Sequence, residues 1–247
     1  MLNRRTFLTG VGYIGMASTV TRALGPQDRQ RHARLPDGIG TEPDFNGPLP
    51  HLEGILGRQP ASDPEVETAR QLIASTPVGP LPVDVASYLL SVGNGTKGEA
   101  WQPYLKAWPV RWNPLIVAFF TATNTVPEGD ATAWCAAFIN WCFKQAGKGL
   151  ATGSASSGSF RVFGTSTSTP SPGDIVVFER TNPKTEDETH QGHVGFFVKD
   201  NGVEVDVLGG NQIVGHERSH MICIRRLVKR GSVLTLNSYR TDKRLHS

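Results

Sequence analysis

Cysteine is scarce in this chain of 247 residues, which has three. So few exclude a disulfide-built scaffold, and an odd count leaves at least one thiol unpaired. Net charge is small as well: 25 Lys and Arg stand against 22 Asp and Glu, for a formal charge of +3. No Lys/Arg block dominates any stretch, so charge gives no ground for a nucleic-acid partner, although slight basicity suits a polyanionic surface. The uncharged run from Thr9 to Val20, about twelve residues, is too short to span a bilayer comfortably. What the chain does have is 38% hydrophobic residues, enough for one substantial core with a small helical annex.

The first residues carry a targeting pattern. A short basic start, Met1 to Arg5, precedes the uncharged run, and Thr21-Arg22-Ala23 offers a small-x-small cleavage site. Asn3-Arg4-Arg5-Thr6-Phe7-Leu8-Thr9 resembles the twin-arginine export motif, in which paired arginines are followed by Phe-Leu and a weakly apolar, Gly-rich segment. Residues 1–24 are therefore expected to be a signal peptide of that type, handled by the twin-arginine translocation machinery. The product is expected in the periplasm or outside the cell, with no stable membrane anchor after cleavage.

Residues 25–62 are rich in Pro, Gly, Arg and Asp without a hydrophobic period, which predicts a flexible linker. Asp63-Pro64-Glu65 has the form of a helix start, leading into Val66, Ala69, Leu72 and Ile73 at helical spacing. A second helix is predicted at Pro82 to Leu90. A third is predicted at Trp112 to Phe120, with Asn113 as cap and Pro114 in the first turn. Residues 63–127 thus read as a helical extension. The most helix-like segment is Ala131 to Ala146, capped by Asp130 or Thr132, striped by Trp134, Phe138, Trp141 and Cys142, and stopped by Gly147. Gly149 to Pro172 reads as a Gly/Ser/Thr-rich loop on the substrate side with a short turn near Ser159 to Phe163. Strands are predicted at Asp174 to Phe178, His193 to Lys199, Gly202 to Leu208 and Met221 to Leu227, with Asp200-Asn201-Gly202 as a hairpin marker. Helices first and an antiparallel sheet after make an α+β fold. A catalytic domain is expected over 128–230, and 231–247 as a C-terminal tail.

Chemistry centres on Cys135, near the start of the predicted helix, where unpaired N–H groups and the positive end of the helix dipole favour a thiolate. Cys142 lies seven positions on, about 10 Å away along the axis and beyond disulfide reach. It and Cys223 fit buried core positions. A cysteine nucleophile needs a base, and His193, opening a strand in Gly192-His193-Val194-Gly195, would be accessible yet fixed. His190 and His216 are fallback candidates, while His32, His51 and His246 lie in the linker or at the terminus. A polar group should orient the imidazole. Asn211 is the first choice, with turn chemistry an equal reading of Gly-Gly-Asn and with Gln212 and Glu217 as alternatives. Asp174 reads as a turn or strand-start residue. Trp134 is a candidate for lining the substrate groove or, equally, for the core.

The blocks Trp134-Cys135-Ala136-Ala137-Phe138, Pro172-Gly173-Asp174-Ile175-Val176-Val177-Phe178, Gly192-His193-Val194-Gly195 and Gly210-Asn211-Gln212 stand in one order over roughly Ala131 to Leu227. This series resembles the CHAP family, the cysteine, histidine-dependent amidohydrolases/peptidases, and Trp112-Asn113-Pro114 resembles a helical extension of some bacterial members. The resemblance implies a papain-like α+β core with the nucleophile helix packed on an antiparallel sheet, neither metal nor other cofactor, and cleavage of peptidoglycan. The bond would be the amide joining sugar to peptide (N-acetylmuramoyl-L-alanine) or one within the peptide. Many members have Glu two residues before the Asn, where this chain has Gly209.

The alternative to an enzyme is an inactive wall-binding module of the same fold. Zinc is disfavoured because Cys135, His193 and Cys223 show no close ligand-pair spacing. Replacing Arg4 and Arg5 together by Lys is expected to strand the precursor in the cytoplasm. Cell fractionation checks this, and normal delivery of the double variant would contradict the export assignment.

Overall fold

A computed structural model describes residues 59–79, 81–95, 98–214 and 219–247. The expected signal peptide, most of the expected linker, His216 and Glu217 lie outside the described residues.

The chain opens with helix α1, Asp63–Ser75. Ser62 holds the cap position one residue earlier than Asp63, its N–H donating to the Glu65 carboxylate at 2.7 Å. Val66, Ala69 and Leu72 form the buried stripe, as their helical spacing predicts. Arg111 donates to both oxygens of Glu65, and Trp112 N–H bonds Gln59 O at 2.9 Å. These contacts tie the segment ahead of α1 to the strap ahead of the third helix. Helix α2 is Pro82–Gly93 and α3 is Pro114–Phe119.

Asn113 and Asp130 knot this region together. The Asn113 side-chain oxygen accepts from Leu115 N–H at 2.9 Å and Ile116 N–H at 3.4 Å, capping α3, while its NH₂ donates to Tyr104 O at 2.7 Å and Lys106 O at 2.9 Å. Asp130 accepts from Trp108 N–H at 2.8 Å and Asn113 N–H at 2.9 Å. Asp130 is therefore not the cap of the next helix. Neither is Thr132, whose hydroxyl accepts from Glu128 N–H at 2.7 Å. The long helix α4 starts later than its pattern predicts, at Cys135, and runs to Gln145 with no side-chain cap. Its aromatic stripe packs on α3: Phe119 stacks with Trp134, Phe138 and Trp141 at centroid distances of 5.9, 5.4 and 5.0 Å.

Six strands follow: β1 Thr165–Thr167, β2 Ile175–Arg180, β3 Gly192–Asp200, β4 Glu204–Val214, β5 Ser219–Val228 and β6 Leu234–Thr241. A short helix, α5, Glu186–Thr189, lies between β2 and β3. The sheet is antiparallel throughout, in the order β1-β6-β2-β3-β4-β5. The fold is α+β, a six-stranded antiparallel sheet with helices on it. One face of the sheet, carrying Ile175, Val177, Val194, Phe196, Leu208 and Ile222, shares a core with α4 and with residues of α1, α2 and α3. Extension and sheet are thus continuous in packing. On the other face Val176, Phe178, Phe197, Val205, Val207 and Tyr239 bury against one another. Leu236 N–H reaches Lys229 O at 2.7 Å, so the sheet curls around that second core at the β5–β6 end.

Residues 231–247 were expected as a tail, yet they supply β6, inserted between β1 and β2. Leu234, Leu236 and Tyr239 alternate toward the second core, a period-2 signal diluted by the polar residues between them. The expected loop after Gly149 contains a 3₁₀ helix, Ser157–Val162, and β1.

Asn113→Ala leaves two N–H groups and two carbonyls of a buried layer without partners. It is expected to lower the unfolding free energy by about 2–4 kcal/mol. Urea denaturation measures this, and a loss below about 1 kcal/mol would show that the knot is replaceable.

Candidate active site

Helix α4 docks its first turn where β4 parts from β3. Gly210 makes the approach possible, since a Cβ there would lie 2.4 Å from Cζ3 of Trp134 and 3.0 Å from Cβ of Phe138. Trp134 is fully buried at 0% exposure, so it is a core residue and not the groove-lining one considered from sequence. Gly192 and Gly195 have the same kind of reason. A Cβ on Gly192 would strike Phe178 O at 2.0 Å, and one on Gly195 would meet Val207 at 2.4 Å. They let β2, β3 and β4 close up and do not serve to clear room for an imidazole.

Cys135 is the first residue of α4 and 4% exposed. The backbone N–H groups of Val194, Ala136 and Cys135 itself lie close to its sulfur and act on its charge. The Val194 contact places the thiol beside the residue that follows His193. These N–H groups favour a thiolate, as the helix-start argument expects, but burial outweighs them and pushes the thiol pKa up. Cys142 is buried and pushed well above the ordinary range by the same cause. Cys223, expected to be buried, is half-exposed, and burial raises it to about 11.

His193, near the start of β3, is 8% exposed. Burial first, and then the Arg225 guanidinium, lower its pKa to about 4, while the Gln212 amide opposes the fall. Burial thus disfavours charge on both groups.

The two residues after Gly210 divide the expected orienting role. Asn211 turns away from His193, and its side-chain oxygen lies 2.6 Å from Nδ1 of His220. Gln212 is buried and turns toward the imidazole. Its NH₂ donates to the carbonyls of Val207, Gly209 and Cys223 at 3.1, 3.2 and 2.6 Å. Oε1 of Gln212 and Nε2 of His193 are both buried without an aligned hydrogen bond. The amide lies near enough to influence the imidazole yet off hydrogen-bond geometry. The structure thus sets Gln212 at His193 and the Cys135 sulfur beside the next residue, Val194, with Asn211 one step behind. His190 is exposed in the loop before β3, and its carbonyl accepts from Ser156. His246, set aside as terminal, holds Asp174 at 2.8 Å, while Asp174 also receives Ser171 N–H at 2.8 Å in the turn before β2.

Asn140 escapes a sequence reading altogether. It is fully buried on α4 and accepts from Thr152 N–H at 2.8 Å and Gly153 N–H at 2.9 Å, fastening the Gly/Ser-rich loop to that helix. An amide inside an otherwise apolar helix was the available signal. Arg225 had none, because only its strand register with Val207 sets it near His193.

Residues 127–211 match the family model of the CHAP domain. The match takes in Cys135, His193 and Asn211 and ends one residue short of Gln212. Neither the curated proteins nor the solved structures yielded a match.

Arg225→Gln removes one of the two causes that depress His193, so the imidazole should titrate above its wild-type value of about 4. Because Arg225 is exposed, added salt should narrow the difference. An NMR titration of His193 reads both effects, and an unchanged or lower value in the variant would remove Arg225 from the site's electrostatics.

Proposed function

We propose that this protein is an exported cysteine hydrolase that cuts amide bonds of peptidoglycan, with Cys135 as nucleophile and His193 as base. The observation that carries the reading is the Cys135 sulfur at an uncapped helix start, close to the N–H of Val194, the residue after His193, inside the stretch that matches the CHAP domain. The twin-arginine motif at Arg4-Arg5 supports export to the periplasm or beyond.

The reaction starts from neutral partners. As the sulfur attacks the amide carbonyl, its proton passes to His193, so that charge develops only in the transition state. Backbone N–H groups at the start of α4 hold the oxyanion. The C–N bond then breaks, the imidazolium gives its proton to the leaving amine, and a thioester remains. Water, deprotonated by His193, attacks that thioester, and the returning proton restores the thiol. The bond cut is either the amide joining sugar to peptide or one within the peptide.

Cys135→Ala should reduce solubilisation of purified sacculi by about 10³-fold or more, as losing a catalytic nucleophile does. Dye release and mass spectrometry of the fragments measure both the rate and the bond cut. EDTA should leave the rate unchanged, and strong inhibition would favour a metal-dependent reaction.

Gly209 favours a second reading, since no side chain at that position supports His193. A wall-binding module would retain sacculi on co-sedimentation, and the wild-type protein would release nothing from them.

A further inference from the structure

The bulge in β4 brings Gln212 to His193. Gly209 pairs with Cys223 and Gln212 with Met221, so three steps along β4 oppose two along β5. The extra residue is a bulge, which re-aims the side chains beyond it. In unbroken alternation residue 212 would share a face with Gly210, against Trp134. With the bulge it comes round to the face of Gly209. A Cβ built on Gly209 would lie 3.3 Å from Nε2 and 3.5 Å from Cδ of Gln212, and 3.4 Å from Nε2 of His193. The Gln212 amide therefore fills the space that a side chain at position 209 would take, against the same ring nitrogen.

Asn211 makes this bulge possible at a conformational cost. Its φ is +57°, the left-handed region, which Asn tolerates better than most residues. Its side-chain oxygen meets His220 Nδ1 at 2.6 Å, which fixes His220 as the donor. His220 is held in turn, because its carbonyl accepts Ala107 N–H at 2.9 Å. Three carbonyls around Gln212 Nε2 fix the flip of that amide and leave Oε1 as the atom facing the imidazole. An acceptor there favours the tautomer with the proton on Nε2 and the lone pair on Nδ1, which suits Nδ1 to receive the thiol proton.

We propose that Asn211 and His220 are positioning residues that lock the β4 bulge, so that Gln212 orients His193 in place of a side chain at position 209. The inference rests on the catalytic reading of Cys135 and His193. Among titratable groups, Arg225 on β5 acts on the imidazole, Cys135 on α4 lies beside Val194, and Cys223 on β5 pairs with Gly209.

The test reads the His193 tautomer by nitrogen NMR in the full chain carrying Cys135→Ala, and hydrolysis of sacculi in the chain with Cys135 intact. Neutral His193 should be in the Nε2–H form. Gln212→Ala should mix the two tautomers and lower kcat about 100-fold, the low end of what a positioned base contributes. Asn211→Ala and His220→Ala should each mix the tautomers with Gln212 still present, and neither should add to Gln212→Ala, since residues acting as one unit are non-additive. Gly209→Glu combined with Gln212→Ala should restore the Nε2–H form and part of the rate. The new carboxylate should also raise the imidazole pKa and move the acid limb of kcat/KM to higher pH. A tautomer unchanged in Gln212→Ala would overturn the proposal. So would a tautomer kept in Asn211→Gly, since glycine holds the left-handed turn without the side chain and the lock would be superfluous. The tautomer does not depend on substrate, so failure of the wild type to hydrolyse sacculi would reject the catalytic reading and leave the lock to be judged by NMR.

Discussion

The approach of the Cys135 sulfur to the Val194 N–H is the constraint on which the rest of the site depends. A helix start and a strand can meet through a thiol only if nothing else satisfies that N–H and nothing bulky separates the two elements. Both conditions are met where β4 departs from regular pairing with β3 at the Gly209–Gly210 corner. The glycines remove the bulk, and the pairing of β4 with β3 ends at Leu208, opposite Phe196. Helix α4 then buries Trp134 and Phe138 against the gap, so the core holds Cys135 in place. Large fixed aromatics around a catalytic group limit its freedom more firmly than surface contacts would.

Close packing has an electrostatic consequence. It takes both Cys135 and His193 out of water, and desolvation disfavours charge on either. The three N–H groups around the sulfur and the amide of Gln212 oppose this without reversing it. Ionisation in the proposed reaction is therefore coupled to substrate attack, when the proton moves between two groups in the same dry pocket.

Much of this was legible in the sequence, and the failures have physical causes. Helices α1, α2 and α3 follow from Pro in the first turn and apolar spacing, and Cys135 and His193 stand out by their positions at element starts. The start of α4 was misplaced because Asp130 and Thr132 are good caps in composition, while tertiary contacts use their oxygens elsewhere. Strand β6 was missed because its apolar residues face a second core that exists only once the sheet curls. Asn211 and Gln212 were both under consideration, but the choice between them turns on a bulge. A single residue in the left-handed region reverses which side chain faces His193, and periodicity alone carries no trace of that.

The place of β6 has a consequence for how the molecule is made. This strand comes after all the others in the chain yet pairs with both β1 and β2 inside the sheet. Until it emerges, β2 has an unpaired edge, and the second core lacks Tyr239 and the leucines beside it. The sheet bearing His193 thus cannot close during synthesis of the chain up to β5, and its last step is a pairing across a long sequence separation, which is slow. A chain assembled in this order completes its sheet only once β6 has been made, and a copy lacking β6 would display a bare strand edge for quality control to recognise.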